Sequence, residues 1–217
     1  MSVVHEPSSA DIELLADIGI VSRETIDKFG LYIDELIRWQ QAKNLVSNST
    51  LVSAWRRHVI DSAQLFSLAS GRKRWLDLGS GGGAPGVILG ILLAEQGGHI
   101  HLVEANARKC AFLRHVIRLT GASATVHQRR VETCIMEFAG DVDVVTARAL
   151  ASLDQLVGWS KDVLRSGAIA LFPKGQYVVS ELTQASISWT MEHDLIASRT
   201  DEAARIVRIR SIREATR

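Results

Sequence analysis

The stretch Trp75-Leu-Asp-Leu-Gly-Ser-Gly-Gly-Gly-Ala-Pro-Gly86 joins a short apolar strand to a glycine-rich turn and then to an apolar helix. Gly79, Gly81, Gly82, Gly83 and Gly86 lack the Cβ atoms that would keep a ligand from the backbone, and they permit the positive φ of a tight strand-to-helix turn. Pro85 suits the first helical turn, where no N–H is needed. The run Val87, Ile88, Leu89, Ile91, Leu92, Leu93 then demands burial against a sheet. With Asp77 placed just before the first glycine, the segment reads as a cofactor cradle. The type of cofactor stays open at this point, because Gly81-x-Gly83-x-x-Gly86 followed by Glu104 also satisfies the dinucleotide fingerprint, whose acidic residue lies about 20 residues on.

On either side of this turn the chain divides. Residues 1–70 read as a helical extension: Ser8-x-x-Asp11 and Ser22 are N-cap signals, and Ile26, Phe29, Ile33, Leu36 and Ile37 recur at helical spacing to about Gln41. A third helix, Leu51 to Leu68, carries Val52, Trp55, Val59, Ala63 and Phe66 on one side. Ser70-Gly-Arg-Lys-Arg74 breaks the pattern, and residues 71–217 alternate strand and helix. The reading places strands at Trp75–Leu78, His99–Glu104, Ala124–Gln128, Asp143–Thr146 and Ala168–Phe172, with helices to Glu95, over Ala107–Thr120, over Leu153–Leu164 and to Trp189. The final pair, Asp194–Ser198 and Arg205–Ile212, reads as a hairpin. Such alternation predicts an α/β fold with a mostly parallel sheet covered by helices on both faces. Two successive strands at the end break strict alternation and suit a seven-stranded sheet with one antiparallel strand.

Bulk properties bound the function. The 217 residues, 47% of them hydrophobic, suffice for one substantial core. Cys110 and Cys134 show no metal spacing, so neither a disulfide nor a zinc site is expected. The opening Met-Ser-Val-Val-His-Glu-Pro and the absence of any run of about 20 apolar residues lead to the expectation of a cytoplasmic protein with no membrane span. Twenty-five basic against 24 acidic residues rule out a globally basic nucleic-acid binder and leave local patches to decide. Arginine outnumbers lysine 19 to 6, which forked phosphate contacts and genomic codon bias explain equally well.

In open α/β sheets ligands lie across the carboxyl ends of the strands. The residues ending successive strands here are Asp77 with Gly79, then Glu104, then Arg130-Val131-Glu132, then Arg148. Glu104 is placed to accept from both ribose hydroxyls of a nucleoside, and Asp77 to face the cationic methionine end of a sulfonium cofactor. In this order the chain resembles S-adenosylmethionine-dependent methyltransferases, and more narrowly the RsmG (glucose-inhibited division B) family, which methylates N7 of a guanine in 16S ribosomal RNA. The narrower resemblance rests on Trp39 with Lys43-Asn44-Leu45-Val46, Arg57-His58-Val59-Ile60-Asp61-Ser62, the Asp77–Gly86 turn, Arg108-Lys-x-x-Phe-Leu-Arg114, Arg130-Val-Glu132, Thr146-Ala-Arg-Ala-Leu-Ala-Ser-Leu153 and Pro173-Lys-Gly175. It implies a Rossmann-like class I fold with an N-terminal helical extension. It also implies S-adenosyl-L-methionine as cofactor, S-adenosyl-L-homocysteine as product, and no metal. It implies cofactor contacts for Gly79, Ala84, Val131, Glu132 and Arg148, beside Asp77, Gly81 and Glu104 from the strand-end reading. The chain departs from the family pattern in having Ala84 where a bulkier residue is frequent and Glu104 where Asp is frequent.

The chemistry agrees with that acceptor. Methylation of an exocyclic amine or a pyrimidine carbon calls for an Asn/Asp-Pro-Pro-aromatic cluster or a cysteine nucleophile, and the fourth strand ends instead in Thr146-Ala147-Arg148-Ala149. Guanine N7 carries a lone pair and no hydrogen, so positioning suffices, and it contributes about 7–11 kcal/mol to such reactions. Arg148 is the residue expected to shape the pocket, and Lys174 to reach O6 or a phosphate. Pairing of Arg148 with Glu132 or Asp154 is the structural alternative, as solvation is for Lys174. Arg56, Arg57, Arg129, Arg208 and Arg210 are the candidates for RNA contact, with Arg72-Lys73-Arg74 a further basic group. Arg208 and Arg210 serve equally as the charged side of an edge strand. His58 and Asp61, three residues apart, read as a structural pair, and Trp39 as core. The expected partner is 16S rRNA or the small ribosomal subunit, met by a monomer. Methylation of a small molecule or protein side chain, a nicotinamide-dependent oxidoreductase and a non-catalytic cofactor-binding module remain alternatives.

Overall fold

The computed structural model describes residues 6–43 and 53–215. Asn44, Leu45 and Val46 of one family block, and the start of the third helix at Leu51 and Val52, lie outside the described residues. The first described element is α1 (Ser9–Asp17), opened by a capping box in which the Ser8 hydroxyl accepts from the Asp11 amide and the Asp11 carboxylate accepts from Ser8 N–H. α2 (Arg23–Lys43) follows. The third helix is not regular: Trp55–Ile60 forms a π-helical turn, with the Asp61 N–H reaching back five residues to the Arg56 carbonyl, before α3 (Asp61–Ser67) continues as an α-helix. π-turns widen a helix locally and are frequent at functional sites.

From there strands and helices alternate: β1 (Arg74–Leu78), α4 (Gly86–Glu95), β2 (His99–Val103), α5 (Ala107–Thr120), β3 (Ala124–His127), β4 (Val144–Ala147), α6 (Leu153–Arg165), β5 (Ile169–Lys174), α7 (Val178–Ser188), β6 (Trp189–Ala197) and β7 (Arg205–Glu214). Two short 3₁₀ turns, Val131–Thr133 and Ile135–Phe138, link β3 to β4. The seven strands form one sheet in the order β3-β2-β1-β4-β5-β7-β6. β1 to β5 pair in parallel and β6 runs in the same direction, so β7, antiparallel to both β5 and β6, is the one reversed strand. This is the seven-stranded, mostly parallel sheet with a terminal hairpin that the pattern predicts.

Strand periodicity splits the core in two. Trp75, Ile100, Leu102, Val144, Leu171 and Ile206 point to the face covered by the N-terminal helices, α4 and α5. Leu76, Leu78, Val145, Ala170, Phe172 and Val207 point to the face covered by α6 and α7. Leu15, Phe29, Ile33 and Leu36 join the first cluster, so the helical extension and the sheet bury their apolar surface together. Trp39 packs on Phe112, ring centroids 5.5 Å apart, and belongs to this core. Among the described residues no helix is long and apolar enough to cross a membrane.

Candidate active site

Leu78 pairs with Val103 on one side and Ala147 on the other, which aligns the carboxyl ends of β1, β2 and β4 along one crest. The glycine turn rises from this crest, and its glycines serve packing more than openness. A Cβ on Gly86 would lie 2.4 Å from Leu102 Cδ2 and 2.5 Å from Asp77 Oδ2, and one on Gly83 2.9 Å from Val87 Cγ2. One on Gly79 would meet Leu150 Cδ1 at 2.5 Å. At Gly81, with φ of +53°, the nearest atom to such a Cβ is the Gly79 carbonyl oxygen at 3.6 Å, and this is the position where backbone stays approachable. Pro85 stands as the N-cap of α4, directly before its first helical residue.

Two carboxylates define the crest. Glu104 is buried directly after β2, and its two oxygens accept from the backbone N–H groups of Gly81 (2.9 Å) and Asn106 (2.7 Å). It therefore pins the glycine turn to the second strand. Asp77 is fully buried, and among the described residues neither of its carboxylate oxygens has a partner in full hydrogen-bond geometry; the Gly86 amide and the Ser80 hydroxyl lie near it, but that hydroxyl donates to the Asp77 backbone carbonyl. Burial raises this carboxyl to about 7, a rise opposed by Ser80, Arg148 and the Gly86 amide. An orphaned buried carboxylate is costly unless a ligand or its proton compensates it. Tyr32, which the periodic reading of α2 passed over, donates its phenol to the Gly82 carbonyl at 2.8 Å and ties the extension to the turn.

Beside the crest, over the ends of β4 and β5, lies a cavity of about 720 Å³ whose walls include Arg57, Asp61, Arg148, Leu150, Lys174 and Asp201. Arg148 extends from the end of β4 to the π-helical turn. It donates to the Arg57 carbonyl, lies 3.1 Å from His58 Nδ1 and forms an ion pair with Asp61 at 3.4 Å. The alternatives Glu132 and Asp154 are not its partners here; Asp154 accepts from the Trp189 indole at 3.1 Å. Burial, reinforced by Arg148 and Arg57, lowers His58 to about 3, so the imidazole is neutral. Asp61 Oδ1 accepts from Thr200 (2.8 Å) and from Gln64 (3.0 Å), which carries the link on to the β6–β7 turn. Lys174 is held as well: its ammonium donates to the Ala151 carbonyl (2.8 Å) and to Glu181 (2.7 Å), and its side chain is 9% exposed.

The structure thus brings Asp77, Gly79, Gly81 and Glu104 together on the crest and places Arg57, Arg148 and Lys174 around the adjoining cavity. Ala84 is buried at the foot of α4. Val131 is buried in the turn after β3, whereas Glu132 is exposed. Arg56 is exposed on the π-turn beside the cavity, and Arg129, exposed after β3, pairs with Glu137 at 2.7 Å. Arg208 and Arg210 lie along β7 and converge on Asp194 of β6, at 2.6 and 2.5 Å, away from the cavity. Arg74 starts β1 at the opposite edge of the sheet, where it pairs with Asp143 at 2.7 Å. The basic groups therefore do not form one face. The roles of Tyr32, Leu150 and Thr200 carried no sequence signal, because each depends on a contact between distant segments.

The family model for GidB, rRNA small subunit methyltransferase G, matches residues 25–205. The chain is 53% identical over 193 residues, 88% of its length and 91% of the relative's, to the ribosomal RNA small subunit methyltransferase G of Methylorubrum populi. It is 51% identical over 209 residues, 96% of its length and 97% of the relative's, to the protein of the same name from Methylobacterium radiotolerans. In fold it is similar to the O-methyltransferase of Bacillus cereus in complex with S-adenosylhomocysteine, with a TM-score of 0.54 at 14% sequence identity, covering 93% of this chain and 97% of the other. The dinucleotide-dependent oxidoreductase reading of the glycine turn gives way to this match, and the chain belongs to the GidB family, rRNA small subunit methyltransferase G.

Proposed function

We propose that this protein, acting as a monomer, transfers a methyl group from S-adenosyl-L-methionine to N7 of one guanine in 16S ribosomal RNA. Family membership supports the cofactor and the RNA class. The acceptor atom is supported by the state of His58. The side chain best suited to remove a proton from an acceptor is here a poor base: burial and the Arg148 guanidinium, 3.1 Å from its Nδ1, hold it well below its ordinary range. A cavity whose imidazole is engaged in this way suits an acceptor that has no proton to lose.

The crest fits the cofactor. Asp77 offers the cationic amino acid end a carboxylate without a hydrogen-bond partner among the described residues, Gly81 offers approachable backbone, and Glu104 after β2 and Val131 after β3 are the residues this reading assigns to the nucleoside. When bound, the cofactor supplies an electrophilic sulfonium methyl. The chain's own contribution is orientation: Glu104 fixes the turn, and Arg148 fixes the wall between crest and cavity. The test uses small subunits lacking the modification, the purified protein and methyl-labelled cofactor, followed by chemical cleavage at N7-methylguanine. Label incorporation with strand scission at one guanine is the outcome this reading requires. Label in another base, or labelled RNA that resists scission, overturns it.

A further inference from the structure

We infer that Asp201, in the turn between β6 and β7, reads the Watson–Crick edge of the acceptor guanine and makes the cavity specific for that base. The inference rests on the guanine-N7 reading above. Strand order supplies the axis. The cofactor crest lies over β1 and β2, the cavity over β4 and β5, and β7 lies beyond β5. Because β7 is antiparallel to β5, with Lys174 opposite Arg205, the β6–β7 turn comes back to the carboxyl edge and closes the cavity on the side away from the crest. A guanine that turns N7 towards the crest must present the opposite side of its six-membered ring, the N1–H and 2-amino donors, to that turn.

Those two donors call for an acceptor pair, which a carboxylate provides. Among the described residues three carboxylates line the cavity, and two are engaged. Asp61 is held by Thr200, Gln64 and Arg148, and Glu181 by Lys174 and the Leu153 amide at 2.7 Å. Asp201 differs. Its Oδ1 accepts from the Ala203 amide of its own turn at 2.9 Å, which fixes the carboxylate, while Oδ2 stands 3.7 Å from Arg57, an ion pair too long for a hydrogen bond. Its side chain is 42% exposed, so a base can displace the loose contact. Adenine, which presents the N1 lone pair at this edge, would meet the carboxylate with repulsion, and reading of that edge is how enzymes select a base removed from its stack.

The experiment compares wild-type protein with Asp201→Asn on small-subunit RNA carrying either guanine or inosine at the methylated position; inosine keeps N7 and O6 but lacks the 2-amino group. Binding of S-adenosylhomocysteine, measured by calorimetry, reports folding and the crest. The wild type is expected to favour guanine over inosine by about tenfold or more, the worth of one hydrogen bond to a charged acceptor. Asp201→Asn is expected to lose about 10- to 100-fold in kcat/KM on guanine RNA, to favour guanine by less than about threefold, and to bind S-adenosylhomocysteine as the wild type does. An Asp201→Asn protein that keeps the wild-type rate and preference overturns the role of Asp201 alone. A wild type that labels a base other than guanine, or a position other than N7, overturns the guanine-N7 reading and this inference with it.

Discussion

Asp77→Asn will melt higher than the wild type at pH 8 and bind the methyl donor more weakly. Asp77 is a fully buried carboxyl raised from its ordinary 3.8 to about 7 by desolvation. A group whose folded value lies above its unfolded value stabilises the fold below the unfolded value, and that contribution disappears as pH climbs through the folded value. The wild type therefore loses stability between about pH 4 and pH 7 and carries the full cost at pH 8. A shift of this size corresponds to roughly 4 kcal/mol. An asparagine amide in the same site keeps some unmet hydrogen-bonding demand, so the gain on substitution is expected at about half of that, or about 4–8 °C in Tm for a chain of this length. The gain should shrink at pH 5, where the wild-type carboxyl is already protonated. S-adenosylmethionine carries two cationic centres, so its affinity for the wild type should rise with pH across 7, and Asp77→Asn should abolish that slope. Equal melting differences at pH 5 and pH 8, measured by calorimetry, would show that Asp77 is not the buried charge described here.

Arg148→Ala carries the largest expected loss of activity. One guanidinium holds the Arg57 carbonyl, His58 Nδ1 and Asp61, and so docks the π-helical turn against the end of β4. Its side chain is 21% exposed and that of Asp61 19%, which makes the cluster largely desolvated. Removing it leaves His58 and Asp61 partly uncompensated, at about 1–3 kcal/mol of stability. The effect on turnover is larger, since displacement of a catalytic wall by about 1 Å costs on the order of 100-fold. Arg148→Lys should recover little, because a single ammonium cannot span three acceptors in a fixed plane. Without the arginine, the imidazole of His58 should titrate at higher pH, because Arg148 is the second contributor to its depression after burial. Nuclear magnetic resonance of the His58 ring reads this directly. Retention of more than a tenth of wild-type turnover by Arg148→Ala would remove the residue from the site.

The parts of the fold that local chemistry dictates are the parts that sequence reading places well. α5 falls at Ala107–Thr120 because Asn106 caps it, accepting from Arg108 and Lys109, and because Gly121 takes φ of +68° at its end. β6 begins at Trp189, five residues before the expected start. Thr190, Glu192 and His193 show no apolar alternation, and their strand conformation comes from pairing with β7, whose Arg210 is the extra residue of a bulge. The third helix has apolar spacing that suits an α-helix, and nothing in Trp55–Ile60 announces the π-turn; the Arg148 contacts that accompany it arrive from 90 residues away.

For the site, the turn and both carboxylates were readable from strand-end position, but their use was not. Glu104 binds backbone amides as well as facing the crest, and Lys174, expected at a substrate oxygen or phosphate, is fastened by Ala151 and Glu181. Sequence separation hides such pairings. The same holds for the arginines of β7: composition marks them as candidates for RNA, and the hairpin register turns them towards Asp194.

The most direct test of this arrangement is a crystal structure with S-adenosylhomocysteine bound. Density is expected over the ends of β1 and β2, with the amino acid end at Asp77 and Gly81 and the nucleoside at Glu104 and Val131, while the cavity between Arg148 and Asp201 stays clear for the base. Density filling that cavity instead, with the crest empty, would contradict it.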